Sequence, residues 1–412
     1  MNKKIKLLSA LVAGVVGFGM LAGCGSSNGG SNSGKKSDKE LIVWSHLMEN
    51  EVKEVDKVAQ EWAKKNNRKV KVVKDDSDMK AFLQAANSTK GPDLMFGIPH
   101  DNLGAFQKAK LLAEVPSGIV NKDDYENPEV CNAVSYDGKA YAIPLSMETY
   151  ALFYNKDKVK EAPQTMDDLL KQAQAIGGTA FQYDINNFYY SAAFVQSYGG
   201  YVFANKDGKY DLNDVGLNNE GALKAYQFLQ DLVTKYKFMK PDVTGDIAKA
   251  NFQNGKSAFY ISGPWDVDGF KKAGTKFALA PIPKINGEGV KSLMGVQTAF
   301  VSGKSKDQDG AWDLMKYLVN NTADKLYEVG NRIPVKKADL DKDTVKNNET
   351  TKVFVEQLKS AVPMPNVSEV NGVWDAGKKI QNVLTGKDIK KTADDMQKTF
   401  VDSVKVAANK KN

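Results

Sequence analysis

The chain has little of what builds covalent or metal-held scaffolds. Of its 412 residues, two are cysteine and two are histidine. His46 and His100 stand far apart, and no Cys/His cluster accompanies them, so neither a zinc site nor any other metal is expected. The glycine-rich phosphate loops GxGxxG and GxxxxGK[ST] are absent, which removes the usual nucleotide cradles, and no cofactor is expected. There is no basic stripe with interleaved aromatics, which argues against nucleic acid as a partner. No internal repeat is visible. Beyond the N-terminus, no stretch approaches the roughly 20 apolar residues needed to span a bilayer.

What the N-terminus has is more specific. Lys3, Lys4 and Lys6 precede the apolar run "LLSALVAGVVGFGMLAG", the pattern of a secretory signal peptide over residues 1–23. It ends in "LAGC", which resembles a bacterial lipobox with Cys24 as the lipidated residue. "GSSNGGSNSGKKSDK" follows, so residues 24–39 read as a lipidated cysteine with a flexible tether. Two acyl chains anchor stably to a bilayer where one is marginal. The expected location is the extracellular face of the cell membrane. Removal of residues 1–23 lowers the formal charge from +7 to +4. Cys131 is then alone, and the fold must rest on its core.

The remaining chain alternates strand-like and helix-like segments. "ELIVW" (40–44), "KVKVV" (69–73) and "PDLMF" (92–96) read as strands. Val52, Val55, Val58, Ala59 and Trp62 recur at helical spacing, and Leu103, Phe106 and Ala109 suggest the next helix. This βαβαβ order predicts a parallel sheet covered by helices. "KAYAIPLSMETYALFYNKD" (139–157) reads as two extended segments, the first interrupted by Pro144, long enough to cross between lobes. "PQTMDDLLKQAQAIGG" carries a Thr165 cap and a Gly177 stop, and "NNEGALKAYQFLQDLVTKY" is a second amphipathic helix. Ala393, Met396, Phe400 and Val404 mark the packing face of a C-terminal helix.

In open α/β sheets, ligands bind beyond the carboxyl ends of strands. The residues expected there include Met48, Glu49, Asp101, Asn102, Glu148, Asn187, Tyr189, Tyr190 and Trp265. The set is rich in aromatics, carboxylates and amides, which suits sugars: hydroxyls need polar partners, and C–H faces pack on rings. Trp62 and Trp312 sit on amphipathic helices and read as core. Trp44 ends a buried strand. Trp265, in "ISGPWD", and Trp374, in "NGVWD", sit on chain breaks, where each could be a buried anchor or a ligand platform. Glu148 and Asp101, taken alone, read more often as surface or capping acids. His46 and His100 read as structural, and Cys131 as an inert, partly buried thiol.

Several ordered stretches resemble the extracellular solute-binding proteins of ABC importers, in their maltose/maltodextrin-binding branch. They include "GPDLMF", "HDNLGAF", "VSYDGKAYAIPLSMETYALFYNKD", "SGPW", "MGVQTAF" and "MPNVSEVNGVW". The resemblance implies an α/β, two-lobed periplasmic-binding-protein-like fold with a cleft between the lobes. Lobe 1 would take residues 40–146 plus 299–344, and lobe 2 residues 151–293 plus 350–412, with 147–150, 294–298 and 345–349 as hinges. It also implies sugar stacking on Trp265, Trp374 and Tyr189, with hydroxyls bound by Glu148 and Asp101. Asn102, Asn187, Tyr190 and Glu49 are further candidates.

"GIPHD" lacks an aromatic found in some family members, Asn102 replaces an arginine, and "SHLMENE" differs from the family's first loop. These departures bear on glycan length and linkage. The implied function is non-catalytic: a monomeric receptor that binds maltose or maltodextrins and delivers them to a membrane permease by closing its cleft. Another di- or oligosaccharide on the same fold is an alternative. A secreted glycoside hydrolase is a remote one, because paired carboxylates beside aromatics also describe those sites.

Overall fold

A computed structural model describes residues 39–206 and 209–409. The signal sequence, Cys24 and most of the tether lie outside the described residues. The first apolar runs form β1 (Leu41–Ser45), β2 (Val70–Lys74) and β3 (Leu94–Pro99). Between them lie α1 (Glu49–Asn66) and α2 (Met79–Ala86), and α3 (Leu103–Lys108) follows. α1 starts with the carboxylate half of a capping box: Glu51 accepts the Met48 N–H at 2.8 Å. It ends at Asn67, a residue type that tolerates the left-handed φ of 51° found there.

The middle of the chain supplies β4 (Ile143–Glu148), β5 (Ala151–Asn155), α4 (Met166–Ile176), β6 (Phe181–Gln182) and α5 (Phe188–Ser197). Thr165 caps α4 as expected, accepting the Asp168 N–H at 3.2 Å. Then come α6 (Glu220–Thr234), β7 (Phe259–Ser262), α7 (Val267–Lys272), β8 (Phe277–Ala280) and β9 (Leu293–Val301). The C-terminal part gives α8 (Gln308–Gly330), β10 (Ile333–Pro334), α9 (Glu349–Leu358) and β11 (Val362–Pro363). It closes with α10 (Gly372–Gly377) and α11 (Ile389–Asn409).

The strands form two main sheets. The first has seven strands in the order β10-β4-β9-β3-β1-β2, with β11 also paired to β9. The second has the order β8-β5-β7-β6. The expected parallel pairing holds for β1 with β2 and with β3. β9 runs antiparallel to both β3 and β4, so the sheet is mixed. Successive residues of β3 feed opposite faces: Leu94 and Phe96 join the core under α1 and α8, while Met95 and Ile98 join the one under α2 and α3. Trp62 and Trp312 are buried in the first of these cores, and Trp44 packs its edge on Phe82 at 5.7 Å.

Pro144 does not interrupt its strand. It lies inside β4 opposite Thr298, where the β9 register shifts and a missing N–H is tolerated. The chain passes from one sheet to the other through Thr149 and Tyr150 alone. This crossing is tied to the return crossing: Thr149 Oγ1 bonds Ser292 Oγ at 2.7 Å and Leu293 O at 2.9 Å. Cys131 is buried, and that burial pushes its thiol up to about 11.

Candidate ligand-binding cleft

β1, β2, β3 and β4 share one direction, so the carboxyl ends of β3 and β4 lie on one edge of the first sheet. In the second sheet, Ser262 at the end of β7 pairs with Ala151 at the start of β5. The Thr149–Tyr150 crossing therefore brings the carboxyl edges of both sheets together. A cleft of about 460 Å³ opens there, lined by Met48, Glu51, Glu148, Gln297 and Arg332 from one side and by Trp265 and Asp268 from the other.

Trp265 lies on a single 3₁₀ turn, Pro264–Asp266, with Pro264 at its first position. The indole is 46% exposed. A Cβ at Gly263 would collide with the indole ring, so only glycine lets the ring fold back over this backbone. Asp266 fixes the turn from below. Its carboxylate is buried, accepts hydrogen bonds from Tyr260 at 3.0 Å and Ser262 at 2.7 Å, and pairs with Lys249 at 2.6 Å. Tyr190 is half-buried alongside; burial pushes its phenol up to about 12, and hydrogen bonding to Ser262 and Trp265 only partly offsets this.

Across the cleft, one guanidinium serves two carboxylates. Arg332 Nε donates to Glu51 Oε1 at 2.6 Å, and its Nη1 donates to Glu148 Oε2 at 2.9 Å. Glu51 is fully buried. Burial would lower the Arg332 pKa, but the hydrogen bonds and charges of the two acids outweigh it and hold it up. Gly330 makes this possible, because a Cβ there would strike the Glu51 carboxylate. Asn331 then turns the chain with φ 53°, which aims Arg332 back at the sheet. Neither Glu51 nor Arg332 is apparent from the sequence. Glu51 lies in the first turn of α1, and Arg332 is 281 positions away.

Asp101, Tyr189 and Trp374 lie outside the residues lining this cavity. Asp101 sits on the turn His100–Asn102 that follows β3, and desolvation pushes its carboxyl up to about 6. Asn102 Nδ2 donates to it at 3.1 Å, so that amide supports the acid. The Tyr189 phenol is driven far up by burial, and the charges of Glu148 and Asp101 add to this. The two acids therefore act on one phenol. The turn of Asp101 contacts a turn at Ser368–Asn371, which leads into α10 and the half-buried Trp374.

Two candidates are used elsewhere. Glu49 is exposed and pairs with Lys53 one helical turn on, at 3.4 Å; its neighbours Met48 and Glu51 line the cleft instead. Asn187 caps α5, its Oδ1 accepting the Tyr189 N–H at 3.0 Å. Both histidines are structural. His46 bonds Asp75 O at 2.9 Å. His100 is fully buried, accepts the Val296 N–H at 3.1 Å and reaches Met364 O at 2.8 Å. Among the described residues, no group of His, Cys, Asp and Glu could hold a metal ion, and no helix is long and apolar enough to cross a membrane.

The lining acids outnumber the lining cation, and that cation is already shared by two of them. Such a site disfavours anions. It suits a neutral ligand that donates hydrogen bonds and offers an apolar face to an indole.

Residues 57–353 match the family described as bacterial extracellular solute-binding protein. A galactooligosaccharide-binding protein of Bacillus subtilis is 31% identical, over 93% of this chain and 94% of its own length. A maltooligosaccharide ABC transporter solute-binding lipoprotein of Streptococcus pneumoniae serotype 4 is 29% identical, over 98% of both. The solved maltose-maltodextrin binding protein of Alicyclobacillus acidocaldarius is 37% identical, with a TM-score of 0.80, over 88% of this chain and 100% of its own. The two-sheet fold, the cleft at the strand ends and this match agree: the chain belongs to the bacterial extracellular solute-binding protein family.

Proposed function

We propose that the cleft binds a neutral oligosaccharide, an α-glucan of the maltodextrin type, and that the protein is a non-catalytic receptor for an ABC importer. The observation that carries this reading is Trp265: an indole held rigidly and left exposed on the rim, facing Glu148, Glu51 and Arg332. The ring supplies a stacking face, and Glu148 accepts hydroxyl hydrogen bonds. Asp101 and Tyr189 extend the polar surface, and Trp374 supplies a further platform. Tyr190 supports Trp265, while Glu49, Asn102 and Asn187 support their own helices and turns more than the ligand.

On this reading the protein is tethered outside the cell membrane through an acylated Cys24, and it hands its ligand to a membrane permease. The segments 147–150, 294–298 and 345–349 act as hinges between two lobes. The lipoprotein relative and the solved maltose-maltodextrin binding protein support the substrate class by their names. The galactooligosaccharide-binding relative supports a second reading, a galactose-containing oligosaccharide in the same cleft.

Titration calorimetry with maltotriose and galactotriose separates the two. The expected result is heat and thermal stabilisation with maltotriose, weakened at least about tenfold in Trp265→Ala, as for other aromatic anchors at binding sites. A Trp265→Ala variant that binds as tightly as the wild type would sink the proposal. Incubation with maltoheptaose is expected to leave it uncut; shorter products would make the protein a hydrolase.

A further inference from the structure

β9 is buried along its whole length, "LMGVQTAFV", and is apolar apart from Gln297 and Thr298. Thr298 is accounted for, because its hydroxyl donates to Ile98 O at 2.7 Å. Gln297 is not. It is 7% exposed, and its Oε1 is sealed from solvent without a hydrogen-bond partner. Its Nε2 has no partner among the described residues either. A buried polar group left this way is a cost that native structures rarely carry without a use.

The backbone gives a second, independent observation. The register of β9 against β4 shifts between Gln297 and Thr298, and against β3 it shifts between Thr298 and Ala299. On the β3 side Gln297 pairs with Pro99, which has no N–H to offer. Bulges of this kind re-aim a side chain and gather beside functional sites. Here the re-aimed side chain lines the cleft next to Glu148 and Trp265.

We infer that Gln297 is a ligand-binding, specificity-determining residue. Its carboxamide completes its hydrogen bonding only when a ligand hydroxyl enters the Glu148–Trp265 end of the cleft. The last torsion of glutamine is broad and close to two-fold, so the group can present its oxygen or its nitrogen to the ligand. Either way the bulged strand demands a hydroxyl at one fixed ligand position. A ligand lacking that hydroxyl leaves Gln297 unpaired. This inference rests on reading the cleft as a glycan site, and it adds the residue that selects among glycans.

The test is calorimetry on the purified wild type and Gln297→Leu, with maltotriose, galactotriose and a set of monodeoxymaltotrioses each missing one hydroxyl. Gln297→Leu is expected to bind the preferred parent glycan about 3–10-fold more weakly, the worth of one neutral hydrogen bond. One monodeoxy analogue, weakened in the wild type, is expected to bind the variant as well as the parent does. The variant's unliganded melting temperature is expected to equal or exceed that of the wild type, because the orphaned amide is gone. Unchanged affinity for the parent, or an equal loss across all analogues, would overturn the role of Gln297. If the wild type prefers galactotriose, the α-glucan reading falls, and the same cycle is run with monodeoxygalactotrioses. If the wild type binds none of these glycans, both readings are overturned together.

Discussion

A tryptophan left 46% exposed stays in one orientation only if something other than its own burial fixes it. Gly263 gives the ring room, Pro264 sets the first backbone angle of the turn, and the buried Asp266 carboxylate ties that turn to Tyr260, Ser262 and Lys249. The same logic governs Arg332. Removing it leaves Glu51 buried with a single N–H for company. Arg332→Ala should therefore cost about 3 kcal/mol of stability, the lower end for breaking a buried pair because the guanidinium is partly exposed. Urea unfolding of the variant checks this, and a loss well below 1 kcal/mol would show that the pair is not holding the first loop. Asp101 gives a pH signature. Its carboxyl titrates at about 6 because burial disfavours the charge. A hydroxyl donated to the carboxylate stabilises the ionised form, so affinity should be full above pH 6 and fall below it. Calorimetry on either side of that pH should show the slope in the wild type and a flat profile in Asp101→Asn.

At the scale of elements, His100 joins three parts that are distant in sequence: the turn after β3, the β9 backbone at Val296, and Met364. It holds them as a neutral ring, and burial lowers its pKa from 6.5 to about 4. The unfolded chain binds a proton at His100 between those values and the folded chain does not. Its contribution is therefore full above pH 6.5 and is lost as pH falls toward 4, by about 3 kcal/mol. Urea melts at neutral pH and near pH 4 should show that loss, reduced in His100→Asn. The strands, the helices and the carboxyl-edge position of Trp265 and Glu148 were legible because period-two and period-3.6 patterns are local. The antiparallel insertion of β9 was not, because pairing partners leave no local mark. Glu51 and Arg332 were missed for the same reason: their meaning lies in a contact across 281 positions. Gln297 did carry a signal, an amide inside an apolar run. An amide in an apolar run marks no site by itself; the register shift beside it is visible only in the fold.

At the scale of the whole molecule, the arrangement of two sheets joined by short crossings makes the cleft a place where small forces matter. The crossings are bonded to each other through Thr149, Ser292, Leu293 and Tyr150, so on the proposed hinge reading bending there would move whole sheets rather than single loops. A hydrogen bond links the rims directly: Asn331 Nδ2 donates to Asp268 Oδ2 at 3.1 Å. Asn331 precedes the guanidinium that orients Glu148, and Asp268 follows the turn that presents Trp265. Asp268 is exposed and Asn331 half-buried, so the bond does little for folding. On the proposed receptor reading, opening the cleft breaks this bond, and it therefore favours the closed arrangement over the open one. A ligand that touches both rims shifts the same equilibrium by its differential affinity. Loss of the rim bond should then act on ligand release, not on capture, which begins from the open cleft. Asp268→Ala, which removes the acceptor and leaves Asn331 in its left-handed turn, is expected to release maltotriose about threefold faster, the value of one weak hydrogen bond, with unchanged association and unchanged unliganded melting temperature. Stopped-flow tryptophan fluorescence separates the two rates, with Trp265 at the rim as the reporter. An unaltered release rate would mean that the rim contact does not gate the cleft, and closure would then have to come from the ligand alone.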